Sequence, residues 1–326
     1  MIYLPLLVFR HVKPTFAMSE TMKAWQYVSP GGTISTHIAL ATTSKPLPSS
    51  LKGSDILVKV AAAAINPADY KFPQIGFLSR TILCYPMKLG MDGSGTVSAV
   101  GPDADVAIGD HVTFHIDLRD STAGALSEYI VAKKEGYAHI SRTTDLIQAA
   151  SLGTAALTAY QTIQPNVERG DSVFINGGAG GVGTFAIQMG KILGCYVTTT
   201  CSGAKAEILK GLGADEVIDY RTQDVVETLK SSGRKYNLVL DRLIDYGQEC
   251  GEGAVFAEMV GGGARHRVQT YLTYNSREDL AQIAAWLDEG KLRGVIDKVF
   301  EFGDVVEAFE YLKTGRTTGK IVIHVP

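Results

Sequence analysis

Along this chain the hydrophobic positions change rhythm. From Lys23 to about Ala149 apolar residues come in short runs broken by Gly, Pro and Asp: ILVKVAAAAI (56–65), GSGTVSAVG (93–101), GDHVTFHI (109–116) and SEYIVA (127–132). Alternation and turn residues at that spacing predict an irregular, mostly β domain. Between about Ser151 and Tyr236 the spacing lengthens. VFIN (173–176) reads as a short buried strand, and Val182, Phe185, Ala186, Met189, Ile192 and Leu193 then recur on one helical face. YVTTT (196–200), a helix over Lys205–Leu212, EVIDY (216–220), a helix over Asp224–Leu229 and NLVLD (237–241) follow. Strand, helix and strand at this cadence predict an α/β unit with a doubly wound parallel sheet and right-handed crossovers. Beyond Asn275 come a helix over Arg277–Leu287, N-capped by Asn275 or Ser276, another over Val305–Leu312, and a closing strand KIVIHV.

Length and charge narrow the picture. At 326 residues, with roughly 100–200 per domain, two domains are expected. A net charge of −3 supplies no field for nucleic acid or an anionic membrane, and neither is expected as a partner; a small-molecule substrate is expected, and a monomer or homodimer. The cysteines Cys84, Cys195, Cys201 and Cys250 stand far apart and form no CxxC pair, which argues against a disulfide framework and fits a reducing compartment, the cytoplasm. The apolar start Met1–Phe9 precedes its positive charges and is too short to span a bilayer, so residues 1–21 are expected to be a disordered leader, a mitochondrial address being the alternative.

The sharpest motif is INGGAGGVG, in which Gly178, Gly180 and Gly183 spell GxGxxG directly after a predicted strand and at the start of a predicted helix. In that context the glycines let the backbone turn sharply and approach a pyrophosphate, and the helix start stabilises its charge. Gly178, Ala179, Gly180, Gly181, Val182 and Gly183 are therefore the expected cofactor loop. An NAD site usually carries Asp or Glu about 20 residues further on, but Thr199, Thr200, Cys201 and Ser202 stand there. Ser202 can donate to a phosphate, Lys205 can neutralise it, and Tyr220 can add a phenol, which together favour NADPH; by itself Lys205 also reads as a solvated lysine at a helix start.

These residues, with AAAAINPADYK (61–71), LGMDGSGTVSAVGP (89–102), ALSEYIVA (125–132), AALTAYQTI (155–163), LGADEVIDY (212–220) and LKTGRTTGKIVIHV (312–325), resemble the medium-chain dehydrogenase/reductase superfamily, in particular its zinc-free quinone oxidoreductase branch and fungal zinc-type alcohol dehydrogenase-like members. The resemblance covers most of the chain from Met22. It implies a GroES-like β domain built from both chain ends, residues 22–149 and 276–326, around a Rossmann domain at 150–275. Zinc-dependent relatives carry Cys where this chain has Asn66, and a His-Glu pair where it has Met91-Asp92, so no metal is expected. His111 and His115 read as ordinary strand residues.

Without zinc, the resemblance implies hydride transfer from NADPH to a quinone or to a carbon–carbon double bond conjugated to a carbonyl. Asn66 is placed to orient the acceptor carbonyl, and Lys71, with Tyr70 beside it, to stabilise a developing oxyanion or relay a proton; a turn-forming Asn before Pro67 and a surface Lys are the plain alternatives. Asp69 is expected to brace the loop, Thr158 to face the nicotinamide, and Arg316 with Lys205 to contact the 2′-phosphate. The loop 72–88 is expected to set specificity by its shape. One departure stands out: residues 242–260 replace a longer strand–helix unit of the family, with recognisable sequence resuming at GGGARH (261–266). Two alternatives stay beside the reductase reading: an enoyl reductase of a secondary-metabolite pathway, using the same site, which the loop 72–88 does not separate from it, and, because of the shortened segment, a non-catalytic NADPH-binding protein.

Overall fold

The structure is a computed structural model that describes residues 20–81, 83–117, 119–120, 123–241 and 273–326. The expected leader up to residue 19 and the shortened segment 242–260 lie outside the described residues. The first part of the chain comprises β1 (Thr21–Tyr27), α1 (Ile34–His37), β2 (Ile38–Ser44), β3 (Ile56–Ile65), α2 (Pro67–Gln74), β4 (Met87–Lys88), β5 (Asp92–Val100), β6 (His111–His115), β7 (Tyr129–Ala132) and β8 (Tyr137–Ile140). Next come α3 (Leu146–Ala150), α4 (Gly153–Ile163), β9 (Ser172–Asn176), α5 (Gly181–Ile192), β10 (Tyr196–Cys201), α6 (Ala206–Gly211), β11 (Glu216–Asp219), α7 (Val225–Ser231) and β12 (Leu238–Asp241). The C-terminal part holds α8 (Arg277–Asp288), β13 (Ile296–Glu301), α9 (Val305–Lys313) and β14 (Lys320–His324).

Both expected architectures are present. β9 to β12 form a parallel sheet in the order β11-β10-β9-β12, the order of half a Rossmann fold. The other strands build the GroES-like part: β2-β1-β4 on one side, and β13-β14-β3-β5-β6-β8 with β7 on the flank of β3. The last strand of the chain seals this part, because β14 runs antiparallel to β3 with Ile321 opposite Ile65 and His324 opposite Ala62.

Small side chains decide how the layers meet. The alanine run of β3 puts Ala62 and Ala64 against Ala150 of α3 and Val322 of β14, which lets the short helix lie close to the sheet. α5 buries Phe185, Ala186 and Met189 of the face its sequence spacing marks, together with Ile187, which the spacing left off it, while Val182, Ile192 and Leu193 are only partly buried. α8 turns Leu280, Ile283, Ala284 and Trp286 into the same apolar cluster as Ile175 of β9, Ala156 of α4 and Ile140 of β8, so it packs where the two parts meet. Its N-cap is Ser276, whose hydroxyl accepts the Asp279 N–H at 3.2 Å; the Asn275 amide instead meets Nδ1 of His115. Among the described residues no helix is long and apolar enough to cross a membrane.

Candidate active site

The glycine turn sits at the carboxyl end of β9, where the strand order reverses between β10 and β12. Gly177 takes φ +81°, a left-handed conformation that favours glycine. Its N–H donates to Thr200 Oγ1 and the Gly178 N–H to the Thr200 carbonyl, both at 2.9 Å, which fastens the turn to β10. A Cβ at Gly183 would stand 2.5 Å from the Gly177 carbonyl oxygen, and one at Gly178 would stand 2.1 Å from Thr199 Oγ1. Both positions therefore exclude a side chain. The Thr184 N–H makes the bond to the Gly180 carbonyl; the parallel bridge between Gly180 and Gly319 turns the Gly181 N–H toward the Gly319 carbonyl, and the N–H groups of Val182 and Gly183 have no acceptor inside the helix. That turn fits a pyrophosphate: tight backbone, open donors and the positive end of α5.

The residues expected around a 2′-phosphate gather at the end of β10. Ser202 follows the strand directly, and the Tyr220 N–H donates to the Cys201 carbonyl at 3.1 Å while its ring stands exposed. The Lys205 ammonium donates to the carbonyls of Arg316 and Thr317, each at 2.9 Å, and so ties the loop before β14 to the start of α6. One ammonium hydrogen is left without an acceptor among the described residues. Thr199 and Thr200 are spent internally, on the Ile175 carbonyl and the Asn176 amide oxygen. A carboxylate does stand nearby: Asp219, beside Cys201 in the sheet, comes so close to Gly203 that a Cβ there would meet its Oδ2 at 2.4 Å.

The third group is buried where α2, β5, α4 and β14 converge. Asn66, Asp69, Asp92 and Lys320 are each no more than 5% exposed. Asn66 is the N-cap of α2, and Asp69 reaches back to accept its N–H at 2.7 Å. The Asn66 amide nitrogen donates to Asp92 Oδ2 at 2.8 Å, and its amide oxygen accepts from the Lys320 ammonium. Lys320 also donates to the Ile65 carbonyl at 3.2 Å and to Asp92 Oδ2 at 3.3 Å. Asp92 Oδ1 takes the N–H and hydroxyl of Thr154, both at 2.7 Å, at the start of α4. Gly153 makes room for that carboxylate, since a Cβ there would lie 2.3 Å from Oδ1. Burial, and next the charge of Asp92, push the Asp69 carboxyl up to about 7, and its Oδ1 has no hydrogen-bond partner.

The remaining expected residues are placed less centrally. Thr158 donates to the Thr154 carbonyl at 2.6 Å and its hydroxyl meets that of Thr273. Tyr70 turns its ring edge-on to Phe309 of α9, with centroids 6.2 Å apart, and Lys71 is exposed. Of the three candidates on or beside α2, Asn66 alone joins the buried cluster. Sequence reasoning missed Lys320 and Thr154 and assigned Asp92 no role; the signal for Lys320 was a lysine opening an otherwise apolar strand, KIVI. Gly177, the residue of the turn with positive φ, was also passed over. Among the described residues no group of three His, Cys, Asp or Glu side chains could hold a metal, and a cation at Asn66 would face the Lys320 ammonium.

Comparison with known proteins identifies the family. Residues 52–142 match the alcohol dehydrogenase GroES-like domain and residues 212–323 match the family described as zinc-binding dehydrogenase. A trans-enoyl reductase of Aspergillus terreus is 35% identical over 94% of this chain and 97% of its own length. The 2-methylene-furan-3-one reductase of Solanum lycopersicum is 32% identical over 95% of this chain and 81% of its own. Among solved structures, the quinone oxidoreductase from Coxiella burnetii superposes with a TM-score of 0.77 at 30% identity, covering 94% of this chain and all of that one. The chain belongs to the medium-chain dehydrogenase/reductase superfamily, among its zinc-free members, and is an NAD(P)H-dependent oxidoreductase.

Proposed function

We propose that the protein is an NADPH-dependent reductase of quinones or α,β-unsaturated carbonyl compounds that works without zinc. The observation carrying this reading is the buried Asn66–Asp92–Lys320 cluster, an ammonium-centred group at the position where zinc-dependent relatives keep metal ligands. Relatives named as a 2-methylene-furan-3-one reductase, a trans-enoyl reductase and a quinone oxidoreductase support the same reading. The chain then divides into residues 22–149 with 276–326 and residues 150–275.

When bound, NADPH supplies the hydride. The N–H groups of Val182 and Gly183 would hold the pyrophosphate, with Gly178, Ala179, Gly180 and Gly181 forming the turn that lets it approach. Ser202, Lys205, Tyr220 and Arg316 receive the 2′-phosphate, and Thr158 lines the nicotinamide end. Asn66 donates to the acceptor oxygen, so negative charge developing there during reduction is stabilised. An enolate so formed takes its proton at the α-carbon, from Lys71 or Tyr70 on the next turn of α2 or from water. The test is regiochemical. With NADPH deuterated at the transferable position and a simple enone, deuterium is expected at the β-carbon of a saturated ketone. Deuterium on the carbonyl carbon of an allylic alcohol would reject the assignment.

One observation favours the enoyl reductase alternative for the acceptor. In the loop 72–88, Ile75, Phe77 and Leu78 are 53%, 79% and 67% exposed, an apolar surface of the kind a long acyl chain would cover. Affinity rising with chain length across a series of enoyl thioesters supports it; a preference for short enones does not.

A further inference from the structure

We propose that Lys320 is a positioning residue of this site: its buried ammonium orients and polarises the Asn66 amide so that the remaining Nδ2 hydrogen is presented to the acceptor oxygen. The inference rests on the reductase reading above. An ammonium has three hydrogens, and those of Lys320 go to Asn66 Oδ1, the Ile65 carbonyl and Asp92 Oδ2. None is left for a substrate, so Lys320 acts through Asn66.

The arrangement fixes which way the amide points. Its oxygen faces a cation and its nitrogen faces a carboxylate, at 2.8 Å. The flipped amide would set N–H groups against the ammonium and an oxygen against Asp92, two repulsions in a site shielded from water. Charge assistance from Lys320 draws electron density from the amide oxygen and makes the N–H groups stronger donors. One Nδ2 hydrogen is used by Asp92, and the other has no acceptor among the described residues.

Lys320 also joins this amide to the cofactor loop. Its Cδ would lie 3.1 Å from a Cβ at Gly181, the first residue of α5, and the Gly319 N–H donates to the Ala179 carbonyl at 2.9 Å. The backbone that carries Lys320 is thus bonded to the glycine turn, and its side chain ends on Asn66. One strand sets the distance between the two halves of the reaction.

The test is a cycle of Lys320→Met, Asn66→Ala and the double variant, read by kinetics and by NMR. Lys320→Met is expected to lower kcat by roughly tenfold to a hundredfold, in the range of losses seen when a partner orienting a reacting group is removed. KM for NADPH should stay within about threefold, and Lys320→Met should cost little further once Asn66 is Ala. Losses that multiply in the double variant, or a fall in NADPH affinity matching the fall in kcat, would assign Lys320 a merely structural role and overturn the proposal. The Asn66 side-chain amide signal, assigned by its disappearance in Asn66→Ala, gives a readout independent of turnover. It should be shifted and slow to exchange in the wild type and move toward ordinary asparagine in Lys320→Met; an unmoved signal overturns the proposal whether or not the enzyme turns over. A wild type that reduces no acceptor while its amide signal responds to Lys320 would instead remove the reductase reading. If Lys320→Met leaves Asp92 unpaired and unfolds the protein, Lys320→Met combined with Asp92→Asn, compared with Asp92→Asn alone, serves the same cycle.

Discussion

Asp69→Asn is expected to remove a specific part of the pH dependence of stability. Asp69 is 1% exposed, one oxygen accepts the Asn66 N–H, and the other has no partner. Burial and the neighbouring Asp92 raise its carboxyl from 3.8 to about 7, against the smaller opposing pull of the Asn66 N–H, Lys320 and the Met91 N–H. The folded state therefore keeps the proton through a window in which the unfolded chain has lost it. Where the native state binds more protons, stability falls as pH rises, so this group weakens the fold progressively between about pH 4 and pH 7. Between about pH 5 and pH 8 the loss amounts to roughly 2.5 kcal/mol, taking 1.36 kcal/mol per pKa unit. Urea unfolding of wild type and Asp69→Asn at several pH values measures it, because titrating groups not coupled to Asp69 cancel in the difference. The stability difference should shift toward the variant by about that amount as pH rises across the window. Parallel curves, or a shift of the opposite sign, would show that Asp69 is ionised in the fold and that the reasoning about its burial is wrong.

Three further outcomes are expected. Lys205→Ala should weaken NADPH by roughly tenfold or more, the scale of one hydrogen bond to a charged group, and NADH much less; equal losses would assign Lys205 only to the 316–317 loop it holds. Gly180→Val should abolish binding of both cofactors with little loss of stability, since Gly180 has φ −78° and ψ 171°, open to any residue; unchanged affinity by titration would mean the pyrophosphate does not approach there. Ser276→Ala should destabilise the protein by about 1 kcal/mol through loss of the α8 cap, seen as a lower urea midpoint with unchanged slope; no shift would mean that the bond to Asp279 contributes nothing.

Much of the fold was legible because its periodicities were local. β9 to β12 and the helices between them lie within a residue or two of the sequence boundaries, each strand being short, apolar and followed by one helical face. β1, β2, β4, β8 and β13 were not read: β2 and β13 are mostly exposed and mix polar with apolar residues, and β4 and β8 span only two and four residues. The glycine turn was legible for the same local reason. The Asn66 cluster was not, because its members come from Asn66, Asp92, Thr154 and Lys320, and only the pairing of β14 with β3 brings the last of these beside the first. Periodicity along a chain carries no information about such a meeting. Asn66 could be singled out by its place in AINPADYK, whereas the lysine that orients it read as the edge of a strand.

The central claim is that this geometry makes a working reductase, and one cuvette tests it most directly. NADPH is titrated against the protein by its fluorescence, and a quinone such as phenanthrenequinone, then a small enone, is added to the complex. The account predicts saturable binding followed by loss of the reduced-nicotinamide signal in proportion to acceptor consumed. Tight binding with no oxidation by any acceptor would contradict it and leave a protein that holds the cofactor without using it.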